Sequence, residues 1–134
     1  METLINKFEI VKIIKNFIVF IFFFSLISCT TNSYNYSKEL SKIEECKNIE
    51  PFFSKSRTCL KRSIISSDVI YPKLVYDMEN LTDLVDNRLN ENKISNDMAW
   101  KLFLENLEIA VSASSLSDAE DISLKLNSFI ESIK

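Results

Sequence analysis

The chain of 134 residues contains neither glycine nor histidine. Without glycine there is no Gly-rich phosphate cradle, no dinucleotide-binding fingerprint and no strand-to-helix nucleophile elbow. Tight β-hairpin turns lose their preferred residue, and helices are left to end on Asn, Ser or Pro. Without histidine the chain has no side chain whose unperturbed pKa lies near 7, no His-based triad and no imidazole metal ligand. Serine catalysis would have to draw its base from Lys or a carboxylate, and none stands at a diagnostic spacing.

The acidic side chains offer no firmer chemistry. Asp118, Glu120 and Asp121 fall in the first turn of an expected helix, where capping and the helix dipole account for them. An EF-hand register around Asp86 to Asp97 fails, because placing Ile94 at the eighth loop position puts Asn92 at the required glycine and Met98 at the closing glutamate. Glu44 and Glu45 are adjacent, so on a helix they point in different directions. The expectation is a protein with no enzymatic activity, no cofactor and no metal.

What the chain does have is a short apolar run, Phe17 to Ile27, behind a segment carrying Lys7, Lys12 and Lys15 against Glu2 and Glu9. A positive end of this kind stays on the cytoplasmic side while the apolar segment behind it inserts. About 11 residues make roughly 16 Å of helix, against about 30 Å of hydrocarbon in a bilayer. This is the length of a signal-peptide core and too short for a comfortable span.

The run ends in Leu26-Ile27-Ser28-Cys29, which resembles the lipobox of bacterial lipoproteins. Membership of that class implies that the Cys29 thiol receives a diacylglyceryl group and that a signal peptidase cuts between Ser28 and Cys29. The new terminal cysteine is then usually N-acylated, and more than one acyl chain makes the anchoring stable. Thr30 follows, where an Asp would tend to retain such proteins at the inner membrane, so the resemblance implies an outer-membrane anchor with the domain facing the periplasm. The alternative is an uncleaved signal anchor in the inner membrane, with Cys29 unmodified.

The division expected is therefore a signal peptide over 1–28, a lipidated cysteine and flexible tether over 29–37, and a helical domain over 38–134. From Cys29 onward the chain keeps 13 basic and 17 acidic residues, a net charge of about −4. With no Lys or Arg run there is no electrostatic footprint for nucleic acid, and the balance argues against a second attachment to anionic lipid.

Hydrophobic spacing organises the rest. A first helix is expected after Ser37 as N-cap, with Leu40, Ile43 and Cys46 on one side. Glu50-Pro51-Phe52-Phe53 breaks it, since the residue before proline is pushed out of helical geometry, and the aromatic pair is expected to plug the core. A second helix is expected from near Ser56 until Pro72, carrying Cys59, Leu60 and Ile64. A third, from Lys73 to Asn90, carries the stripe Leu74, Met78, Leu81, Val85 and Leu89, with Asp77, Glu79, Asp83 and Asp86 largely off it. Asn90 or Asn92 should take the left-handed conformation after it. A fourth runs from Asn96 to Ser112 with Ser95 as N-cap and Ala99, Leu102, Phe103, Leu107 and Ala110 inside, leaving Trp100 and Leu104 on a flank. Ser117 and Glu120 read as a capping box opening a fifth, whose stripe is Ile122, Leu126, Phe129, Ile130 and Ile133. The fold expected is all-α: a small antiparallel bundle of four or five helices after a lipoprotein signal peptide.

Cys46 and Cys59, with twelve residues between them, are a disulfide candidate in an oxidising envelope; two reduced cysteines are the rival. Val85 to Ile109, VDNRLNENKISNDMAWKLFLENLEI, is similar to a segment of small helical bacterial lipoproteins of unknown function, with Asn92 where glycine is commoner. That similarity implies a fold and brings no catalytic residues. The function expected is protein contact in the cell envelope, with membrane attachment through Cys29, an unknown envelope partner, and Phe52, Phe53 and Trp100 as partner-surface candidates. A carrier for a lipid or other apolar ligand between the helices is the alternative.

Overall fold

The computed structural model describes residues 34–134, in which five helices alternate with short connections. They are α1 (34–49), α2 (Phe53–Ile65), α3 (Pro72–Asn90), α4 (Asn96–Val111) and α5 (Leu116–Ile133). Consecutive helices run antiparallel. Asp77 near the start of α3 meets Ser123 near the start of α5, while Arg88 and Ile133 meet at their far ends, so α3 and α5 run in the same direction.

α3 is the central element and packs on α2, α4 and α5. Its stripe behaves as its spacing predicts, with Leu74, Met78, Leu81 and Val85 fully buried. Each such side chain contributes about 1.5–3 kcal/mol on leaving water. Facing them are Leu60 and Ile64 of α2, Phe103 and Leu107 of α4, and Leu126 and Ile130 of α5.

The ends of the helices show how a chain without glycine stops and starts them. After α3, Asn92 adopts the left-handed conformation at φ 57°. The Lys93 N–H reaches the Arg88 carbonyl at 2.9 Å and the Asn92 N–H reaches Leu89 at 3.0 Å, the paired bonds of a Schellman ending. Asn does what glycine commonly does, because its short polar side chain tolerates that region. Pro72 opens α3, where its missing N–H costs nothing. Ser95 caps α4 by accepting from the Met98 N–H at 3.1 Å.

Four boundaries differ from expectation. Residues 34–37 are helical, so α1 begins before Ser37, which lies within the helix instead of capping it, and the expected tether is shortened to that extent. α2 starts at Phe53 instead of near Ser56 and ends at Ile65, well before Pro72. The α5 cap is Ser115, accepting from the Asp118 N–H at 3.1 Å, so the Ser117–Glu120 box does not form. The side chain of Asp118 in turn accepts from the N–H and hydroxyl of Ser114. The Ser-x-x-acid pattern recurs two residues earlier, and the earlier copy is used. On α4, Trp100 joins the buried face, while Leu102 is only half-buried.

Replacing Phe53 by Ala should cost about 3–5 kcal/mol, the range for emptying an aromatic site in a packed core. Urea unfolding of the two proteins side by side measures it, and a loss below 1 kcal/mol on that scale would show that the Phe53 pocket collapses without cost.

Candidate functional site

The end of the bundle where α1 gives way to α2 gathers most of the residues singled out by sequence. Pro51 ends the extended link, and its carbonyl accepts from the Trp100 indole N–H at 2.9 Å and from the Asn96 side-chain amide at 3.2 Å. The same Asn96 side chain accepts from the Phe53 N–H at 2.8 Å. Asn96 thus caps α2 from another helix, which explains how α2 begins without a cap from its own N-cap residue, Phe52.

This clamp sorts the two phenylalanines. Phe53 is driven inward and meets Trp100 edge-on with ring centroids 5.2 Å apart, and Phe103 at 5.8 Å. Phe52 is turned out and remains 58% exposed. Phe53 and Trp100 are therefore not available as partner surface: Phe53 is fully enclosed and Trp100 is 3% exposed, because the indole N–H is tied to Pro51 and the two rings pack edge-on. Adjacent residues at a helix start point about 100° apart, so only one of the two could plug the core.

Phe52 shares this end of the bundle with two other exposed apolar residues, Ile49 at the end of α1 and Met98 two residues after Asn96. Lys55 lies over the Phe52 ring at 5.4 Å and Lys47 over Trp100 at 5.3 Å, within cation–π range. Among the described residues neither lysine joins an ion pair. An apolar tip with two uncommitted cations results.

Below this tip, Cys46 and Cys59 are joined by a disulfide with Cα atoms 5.8 Å apart, stapling the last turns of α1 to the middle of α2. The Ser56 hydroxyl, on the same side of α2, turns to the carbonyls of Cys46 and Glu50 at the end of α1. Ser28 and Cys29, the expected cleavage and lipidation positions, lie outside the described residues.

Two hollows occur nearby. One of about 370 Å³ lies between α1 and α4, lined by residues including Leu40, Ile43, Lys47, Trp100 and Leu104. The other, of about 240 Å³, lies by the α3–α4 turn against Arg88, Lys93, Ile94 and Ile133. Among the described residues no three Cys, Asp or Glu side chains converge on one point, and no helix is long and apolar enough to cross a membrane.

The polar residues that sequence reasoning missed lie on α3. Asp77 and Asp86, expected off the stripe, are both buried. Asp77 is 3% exposed and accepts from the Ser123 hydroxyl at 2.5 Å and the Asn127 amide at 3.1 Å, tying α3 to α5. Asp86 pairs with Arg57 at 3.0 Å, and Asp83 with Lys61 at 2.7 Å, tying α3 to α2. Their positions carried a signal: Asp77 is three residues after Leu74 and four before Leu81, so it shares their side of the helix. α3 is enclosed on several sides, and its buried face is wider than one stripe.

Away from these, Lys38 on α1 holds both oxygens of Asp68 in the α2–α3 link at 2.8 Å. The hydrogen bond from Lys38 holds the Asp68 carboxyl below its ordinary 3.8, and the same bond pushes Lys38 above its ordinary 10.5.

Neither a protein-family profile, nor a curated protein, nor a solved structure matches this chain. Its class rests on its own architecture: a small all-α bundle, stapled between its first two helices, with an apolar, lysine-flanked tip.

Two outcomes test this reading. Asp77→Asn faces the Asn127 amide or the Ser123 hydroxyl with a second donor and should cost about 1–3 kcal/mol in chemical unfolding. Pairing Asp77→Leu with Ser123→Ala removes the carboxylate and the hydroxyl, leaves the Asn127 amide its bond to the Ser123 carbonyl, and should cost less than Asp77→Asn. For the Lys38–Asp68 pair, a depressed carboxylate pKa stabilises the fold above the ordinary 3.8, and the contribution is lost as pH falls through the depressed value. The stability advantage of the native protein over Asp68→Asn should therefore be flat through neutral pH and vanish in acid; thermal melts across the acid range read it directly.

Proposed function

We propose that this protein is a lipid-anchored, non-enzymatic component of the bacterial cell envelope that works by protein contact. The observation that carries the proposal is the Cys46–Cys59 disulfide, which takes up both cysteines of the bundle and leaves Cys29, at the end of Leu26-Ile27-Ser28-Cys29, as the third. Structural disulfides persist in exported proteins and are rare in a reducing cytosol. An oxidising compartment is where a lipobox cysteine would be carried. The finer placing, at the outer membrane and facing the periplasm, rests on Thr30 standing after the cysteine.

The contact surface proposed is the tip formed by Phe52, Ile49 and Met98. Exposed apolar groups gathered at one end with cations in no ion pair favour a partner with apolar and acidic side chains. The carrier reading finds less support. The bundle centre is filled by Phe53, Phe103, Met78 and Leu81, and both hollows open to solvent at the edge of the range of about 300–1,000 Å³ typical of ligand pockets.

Intact mass of the protein extracted from membranes, before and after reduction and alkylation, is the decisive measurement. The expected mass is that of the chain from Cys29 onward plus acyl groups, gaining two alkyl groups only after reduction. A full-length mass without lipid would overturn the proposal in favour of a signal-anchored inner-membrane protein.

A further inference from the structure

The four tyrosines of the chain, Tyr34, Tyr36, Tyr71 and Tyr76, all fall at one end of the bundle. Tyr34 and Tyr36 are in the first described turn of α1, Tyr71 is the N-cap of α3, and Tyr76 is in its second turn. The Lys38–Asp68 pair ties these segments together at that end. While Leu116 and Ile109 are exposed on the α4–α5 side of that end, three large apolar groups face solvent on its α1–α2–α3 side: Tyr34 at 69% exposure, Tyr76 at 65%, and Ile65, the last residue of α2, at 60%. Val69 and Tyr71 between them are half-buried.

The charges of this end are divided. Arg62 and Lys73, on the α2–α3 side with the exposed tyrosines, are exposed and in no ion pair among the described residues. The acidic group on the α2–α3 side, exposed Asp68, is paired with Lys38, and the other acidic groups gather on the α4–α5 side at Glu108, Asp118, Glu120 and Asp121. The net negative charge of the chain therefore conceals a local edge that is aromatic and basic.

The chain that would hold the anchor enters at this same end. Cys29 stands five residues before Tyr34, and five residues reach at most about 17 Å. The Phe52 tip lies at the other end of α1, about 24 Å away along the helix. Tyrosine is favoured at the membrane–water boundary because its ring is apolar while its hydroxyl remains hydrated, and Lys and Arg extend to the headgroup phosphates.

Resting on the lipid anchor proposed above, we infer that the Tyr34–Ile65–Tyr76 edge, flanked by Arg62 and Lys73, is a second membrane contact that seats the bundle on the phospholipid headgroups and holds the Phe52 tip away from the bilayer. The acyl chains supply the attachment, and this edge supplies orientation. A second copy of the chain does not suit the edge, because the cations of one copy would face those of the other.

The test uses the full chain, processed in a bacterial host and reconstituted in vesicles of phosphatidylethanolamine and phosphatidylglycerol containing phosphatidylcholine brominated high on its acyl chains. Tyr76→Trp and Phe52→Trp are compared; both positions are exposed, and buried Trp100 is a background common to both. Several-fold stronger quenching of the Tyr76→Trp protein is expected. Equal quenching, or stronger quenching of Phe52→Trp, overturns the inference. Hydrogen exchange of the unsubstituted protein gives an independent reading: amides of residues 65–76 should slow on vesicles relative to detergent while those of 49–52 do not, and unchanged exchange in both overturns it. The mass of each sample separates the two ideas. Acylated Cys29 with no end preference leaves the anchor standing and removes the edge, whereas unacylated protein removes both.

Discussion

The structure depends on where Phe53 goes. Once its ring is seated between Trp100 and Phe103, the α1–α2 link must pass over the start of α4, where Asn96 and the Trp100 indole hold the Pro51 carbonyl. That docking sets the first turn of α2, brings Cys59 level with Cys46, and leaves Phe52 no place but the surface. One buried aromatic ring thus decides the register of two helices, the position of the staple and the character of the tip. The bonds of the Phe53 N–H and the Trp100 indole are partly buried, so leaving either donor unpaired would carry a cost.

A second constraint is the placement of α3. It is packed on three other helices, so its polar positions cannot all find water. Asp77 takes donors from α5 on both oxygens, and Asp86 takes Arg57 of α2 on one of its two, which tie the flanking helices to the centre at defined heights. Apolar packing alone would tolerate sliding along the axis. A buried carboxylate with fixed donors is less tolerant, since a shift of one turn would leave it unpaired in a medium where that is expensive.

These constraints give the bundle two unlike ends. The staple and the clamp stiffen the Phe52 end and present Ile49, Phe52 and Met98 on it. The Tyr34 end collects the tyrosines and, on the α2–α3 side, Arg62 and Lys73. Polarity along the axis is what an anchored contact protein would need, one end for the membrane and the other for its partner, and it arises from the up-and-down order of helices that share one core.

Much of this was legible in the residues. The all-α fold, the α3 stripe, the Ser95 cap and the left-handed Asn92 follow from interactions between residues a few positions apart, which periodicity and capping chemistry capture directly. Other features were decided only in three dimensions. The start of α2 depends on Asn96, 43 residues away, and no local pattern signals a cap supplied by another helix. Whether Phe52 or Phe53 enters the core, whether Trp100 is flank or interior, and whether Asp77 meets water or Ser123 all depend on which neighbours arrive on each side. Sequence by itself determined the helices and their apolar faces, because those are set within a few turns of chain. Only the tertiary structure decided which aromatic and acidic side chains were enclosed, because burial is a property of the assembled helices and not of any one of them.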